Sequence, residues 1–198
     1  MNFEAWRHYL RGAMLQRRKH PLQAIDEYRA VLAYDPGFLR ASHRLAYLLA
    51  AASRDDEAEH WFRETLRIDP RNADAWFNLG YFYDQRQRLA EAVDAFREAV
   101  RLRPRFDPAW YGLGVALAAQ GHHADAAAAF ERAAGLQPMN GQVWYQLGMA
   151  YHACGDDTKV TEVAEYLNRF DRKMTQSLIV HAGRADLRHL VADYDPRF

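Results

Sequence analysis

Four prolines, Pro36, Pro70, Pro104 and Pro138, stand at one constant interval along the 198-residue chain. Three tryptophans, Trp76, Trp110 and Trp144, keep the same step, as do Leu79, Leu113 and Leu147, and Gly80, Gly114 and Gly148. Ala24, Ala58, Ala92 and Ala126 fall in line, with Tyr28, Phe62, Phe96 and Phe130 four residues further on. So many residue types on one period define a structural repeat, and a period of about 34 residues belongs to stacked supersecondary units.

Each unit reads as two amphipathic helices of about 13 residues joined by a short polar turn. In residues 73–106, Trp76, Leu79, Gly80 and Tyr83 occupy one helical face, followed by Leu89, Ala92, Val93, Phe96, Ala99 and Val100 at spacings of three and four. The chain holds 34 alanines against 16 valines, isoleucines and threonines together, a balance that favours helix over strand. Gly80, Gly114 and Gly148 recur inside the first helix, where each costs about 1 kcal/mol relative to alanine. Their recurrence predicts close helix packing, with Ala58, Ala92 and Ala126 facing them and Phe62, Phe96 and Phe130 wedged alongside. The prolines predict where each second helix stops, because the residue before proline is pushed out of the α region.

These residues resemble the tetratricopeptide-repeat family, whose pattern is Trp, Leu-Gly, Tyr, Ala, Phe and Pro over about 34 residues. Residues 73–106 match throughout, and 107–140 differ only at Leu117 in place of tyrosine. Residues 39–72 carry Ser42 for tryptophan and Ala46 for glycine, residues 5–38 carry Arg11 at the leucine position, and residues 141–174 drift in their second half. The resemblance implies an all-α, right-handed solenoid of about five helix-turn-helix repeats over residues 1–174. Residues 175–198 are off-register and read as a C-terminal helical cap, with Met174 and Leu178 in one short helix and Leu187, Leu190, Val191 and Tyr194 in another. A tail that binds a partner or docks on its own chain is the alternative.

In that family the first helix of each repeat lines a concave groove that holds partners. Carried onto this chain, the groove takes Tyr9, His43, Phe77, Tyr111 and Tyr145 at one register, and Tyr47, Tyr81 and Met149 one turn on. Arg40, Arg44, Asp74, Asn78 and Gln146 stand beside them. The aromatics at the first register are also common scaffold, so Tyr47, Tyr81 and Met149 are the better anchors. The lysine and asparagine clamp by which some family members capture a chaperone's terminal carboxylate is absent. Asn78 matches its middle element, but His43, Tyr47, Pro108 and Gly112 stand at its other positions.

Other chemistry finds little footing. Lys and Arg number 26 against 26 Asp and Glu, so no bulk positive charge serves nucleic acid. Cys154 is the single cysteine; it forms no internal disulfide and reads as a small buried thiol in a reducing, cytoplasmic setting. The N-terminus lacks the apolar run of a secretory leader, and no stretch approaches a membrane span. His122, His123 and His152 show no repeated ligand spacing, so neither metal nor cofactor is expected. Arg17, Arg18, Lys19 and His20 read as a solvated helix end, where cations suit the dipole. No nucleophile elbow, phosphate loop or metalloprotease motif is present. The reading is a non-enzymatic interaction scaffold or assembly factor that holds a peptide or helix in the groove. A self-assembling structural protein, a homo-oligomer, is the alternative.

Overall fold

The computed structural model describes residues 2–192. Among them the chain is all helical: α1 (Phe3–Arg17), α2 (Pro21–Tyr34), α3 (Leu39–Ala51), α4 (Asp55–Ile68), α5 (Ala73–Gln85), α6 (Leu89–Leu102), α7 (Asp107–Ala119), α8 (His123–Leu136), α9 (Gly141–Ala153), α10 (Asp157–Leu167) and α11 (Arg172–His181). A 3₁₀ turn, Ala185–Val191, follows. Tyr194, assigned to the last helix by its spacing, lies outside the described residues. The fold is a tetratricopeptide-repeat solenoid in class, with the second helices α2, α4, α6 and α8 each ending two residues before the periodic proline.

The chain divides into two compact units, residues 1–85 and 86–198, with the division in the turn of the third repeat. In the first, consecutive helices from α1 to α5 pack on one another around Ala24, Ile25, Tyr28, Leu45, Leu49 and Phe62. The second packs α6 to α10 in the same way, and α11 lies against both α9 and α10.

The recurrent residues have identifiable tasks. The indole N–H groups of Trp76, Trp110 and Trp144 donate to the carbonyl oxygens of Pro70, Pro104 and Pro138 at 3.0, 2.9 and 2.8 Å. Tryptophan thus ties α5, α7 and α9 to the turns that precede them, giving each turn's proline carbonyl a donor. In the second repeat Ser42 replaces tryptophan and is fully buried; its hydroxyl meets Thr65 Oγ1 at 2.6 Å and donates to the Trp61 carbonyl. Gly114 packs closely, but its near neighbour is the Phe130 ring of its own repeat rather than an alanine: an added Cβ would sit 2.6 Å from Phe130 Cε1. At Gly148 the same space is taken by Leu178 of α11.

The turns inside the repeats share one backbone device. Lys19, Ser53, Gln87, Gly121 and Gly155 all have positive φ, between 57° and 80°, and hold the same place in successive repeats. This is the left-handed residue that closes a helix C-terminus.

Cys154 is exposed, not buried: it ends α9 on the solvent side of the Gly155 turn. At the C-terminal end Arg184 fastens the 3₁₀ turn, donating to the Asp157 carbonyl at 2.8 Å, to Thr161 Oγ1 at 2.9 Å and to both Asp186 carboxylate oxygens. Leu187 is buried, whereas Leu190 and Val191 are partly exposed.

Candidate functional site

In the first unit α1, α3 and α5 carry the residues assigned to the groove. Tyr9, Arg40, His43, Arg44 and Tyr47, together with Gln16, surround one cleft of about 300 Å³. Tyr9 is a packing residue there: it is 5% exposed, stacked on Phe38 at 5.1 Å and met edge-on by Trp6 at 5.6 Å. Only the rim of its ring remains to a ligand, which narrows the role read from its register.

Arg44 is held in place by neutral acceptors. Its Nε donates to Tyr9 Oη at 3.2 Å and its Nη1 to Gln16 Oε1 at 3.0 Å. The same Gln16 oxygen accepts from Tyr28 Oη at 3.1 Å, and burial pushes that phenol's pKa up. The Arg40 guanidinium lies 5.6 Å above the Tyr9 ring. Among the described residues no carboxylate comes within ion-pair distance of Arg40 or Arg44. A guanidinium has five N–H donors, and the bonds to Tyr9 and Gln16 occupy two of those of Arg44. Gln16 stands at the groove register held by Ala50, Asp84, Ala118 and His152 in the later repeats, and the varied residue types there carry no recurrent signal.

His43 and Asn78 join α3 to α5, with Asn78 Nδ2 2.6 Å from His43 Nε2. An amide N–H pointing there needs that nitrogen unprotonated. Burial, with Arg44 beside it, lowers the His43 pKa, while Asp74 works the other way. The unfolded chain therefore binds this proton more readily, near the ordinary histidine value of about 6.5. Stability should fall as pH drops below that value. His43→Gln should flatten the dependence of melting temperature on pH in that window; an unchanged slope would assign it to other groups.

Tyr47 and Tyr81 are 58% and 52% exposed, unusual for rings of this size. Phe77 is half-buried and Asp74 exposed, both on α5.

In the second unit Tyr111 tilts on Phe130 at 5.8 Å and lines a separate cleft of about 310 Å³ with Pro108, Gln142 and Val143. Tyr145 is engaged by α11: its hydroxyl lies 2.9 Å from His181 Nδ1. Gln146 and Met149 are partly exposed on α9. Among the described residues no three potential metal ligands come together, and no helix is long and apolar enough to cross a membrane.

Known proteins resemble this architecture. A MamA crystal structure superposes with a TM-score of 0.79 at 20% identity, covering 89% of this chain and 96% of that one. The 41-end form of MamA from Desulfovibrio magneticus RS-1 gives 0.78 at 18% identity, covering 87% and 97%. YrrB, described as a TPR protein with an unusual peptide-binding site, gives 0.74 at 20% identity, covering 89% and 90%. At these identities the likeness is one of fold. Among curated protein sequences nothing matches. The family model of the cilia and flagella-associated protein 70 middle TPR-like domain matches residues 43–171, well over half of the sequence. The repeat spacing, the helix pairs and this match agree, and the chain belongs to that family of tetratricopeptide-repeat proteins.

Proposed function

We propose that the protein is a non-enzymatic scaffold that holds a peptide or helix of a partner protein against α3 and α5 of its first unit. One observation carries the reading: Tyr47 and Tyr81 keep more than half of their surface exposed at one register of successive repeats, beside two arginines that no carboxylate among the described residues meets at ion-pair distance. Aromatic rings with polar tips make good anchors, and fixed guanidinium groups orient an acidic segment. In the first unit Asp74, Phe77 and the His43–Asn78 pair shape the surface around these tyrosines; in the second unit Tyr111, Gln146 and Met149 offer a candidate surface of their own. The description of YrrB as a TPR protein with a peptide-binding site supports the reading. A cytoplasmic setting suits a chain with one unpaired cysteine.

Peptides selected from a displayed random library on the full chain should carry acidic residues next to apolar ones. Tyr47→Ala or Tyr81→Ala should weaken them by about 2 kcal/mol and leave the melting temperature nearly unchanged. Arg44→Glu should slow association, more so at low salt. If Tyr81→Ala melts the protein, the tyrosine is scaffold. If the double tyrosine variant binds as tightly as the parent, the partner lies elsewhere.

A further inference from the structure

A cavity of about 520 Å³ lies outside the groove register: α8 and α10 flank it, and α9 supplies its Trp144, Leu147 and Tyr151. Tyr166 leans on Trp144 at an interplanar angle of 35° with ring centroids 4.2 Å apart, making one wall. Gly135 lines the opening, and an added Cβ there would meet nothing within 4 Å. A helical glycine costs up to about 1 kcal/mol against alanine, and packing does not require this one. At the equivalent place in α4 and α6 stand Arg67 and Arg101, paired to Glu64 and Glu98 of their own helices. The corresponding gap between α2 and α4 is bridged by the Arg29–Glu57 ion pair. Between α8 and α10 that charge order is reversed, with Glu131 facing Lys159 at 3.9 Å. Glu162 adds a second carboxylate, so the rim keeps one negative charge in excess of Lys159 around an apolar interior.

The first unit carries the complement. Phe3, Leu10 and Met14 form one stripe on α1 and are 77%, 61% and 47% exposed. Arg7, Arg17 and Arg18 border it, all exposed. The stripe does not suit a further repeat of the same kind. Arg7 and Arg11 occupy the places where α3 and α5 bury Ala41 and Leu45, and Ala75 and Leu79. Stacking such a repeat there would bury two guanidinium groups. An apolar pocket with an acidic rim accepts the stripe and its arginines together.

We infer that the α1 stripe of one copy docks in the α8–α10 pocket of a second copy, a head-to-tail contact between unlike surfaces of the same chain. Such a contact leaves one stripe and one pocket open at the ends of every open assembly. Sedimentation velocity of the full chain should show mass rising with concentration through the micromolar range. Leu10→Glu spoils the stripe and Gly135→Arg fills the pocket, and each should weaken self-association by about thirtyfold, a hot-spot effect. Arginine is already tolerated at the same place in α4 and α6, so Gly135→Arg should melt no lower than the parent.

Mixing the two variants is the decisive arm. Leu10→Glu keeps its pocket and Gly135→Arg keeps its stripe, so together they should form a dimer that cannot grow. A parent chain that stays monomeric throughout, or folded variants that fail to pair when mixed, would overturn the inference. So would vesicles of anionic phospholipid that bind the parent, but not Leu10→Glu, when mixed variants remain monomers; the stripe would then serve a lipid surface.

Discussion

A chain ended at Phe170 should lose much of the stability of its second unit and aggregate. The segment it lacks includes Thr175, Leu178, Ile179, Ala182 and Leu187, all buried. Leu178 is fully enclosed, with both δ-carbons filling the space over Gly148 that a Cβ would otherwise claim. Removing α11 uncovers that glycine face of α9 together with Val160, Val163 and Leu167 of α10, each now 4% exposed or less. Each lost aliphatic side chain is worth about 1.5–3 kcal/mol, so the deficit is on the order of 5 kcal/mol against a domain stability of about 5–15 kcal/mol. Newly exposed apolar area also promotes association. Thermal melting and light scattering of the shortened chain measure both effects, and Leu178→Ala alone should cost about 2–5 kcal/mol. We read residues 175–198 as a cap on this ground. A shortened chain as soluble and stable as the parent would free the tail for a partner.

Gly114→Leu should also destabilise, by at least about 1–3 kcal/mol. An added Cβ would lie 2.6 Å from Cε1 and 2.7 Å from Cδ1 of Phe130, a ring only 1% exposed and braced by Tyr111. The better helix propensity of leucine returns less than about 1 kcal/mol of this loss. Gly135→Ala is the control, because its Cβ enters open space and only the propensity gain of up to about 1 kcal/mol remains. Melting temperatures should move in opposite directions. A shared direction would mean that the helix register around Phe130 is wrong.

These contrasts mark what a sequence can reveal. The repeat, the helix pairs and the close approach at Gly114 were legible because stacking imposes the same demand on every unit. The partner in that approach was not, since periodicity says which residues recur and not which ring reaches which helix. Arg184 lies in the off-register tail, and Gln16 holds a groove register whose residue type changes from repeat to repeat, so neither hydrogen-bonding role shows in the period. Tyr9 lines the cleft at the register its place in the repeat implies, while the packing of Trp6 and Phe38 on its ring follows from contacts that periodicity does not specify. Cys154 was read as buried from the habit of its residue type, while its place after the last turn of α9 leaves it in solvent. Tyr47 and Tyr81 stand out in the sequence as anchor candidates because no core position of the repeat needs them, and both rings are more than half exposed.

The left-handed turn residues have a consequence for local opening. Lys19, Ser53 and Gln87 carry side chains in a conformation that costs roughly 1 kcal/mol more than it does for glycine, whereas Gly121 and Gly155 carry no such strain. The same hinge is therefore tense in three turns and relaxed in two. Amide hydrogens beside the three tense hinges should exchange sooner than their counterparts around Gly121, giving the array a soft end and a firm end. Glycine at position 53 would slow exchange in its own turn, so the gradient could be erased one hinge at a time.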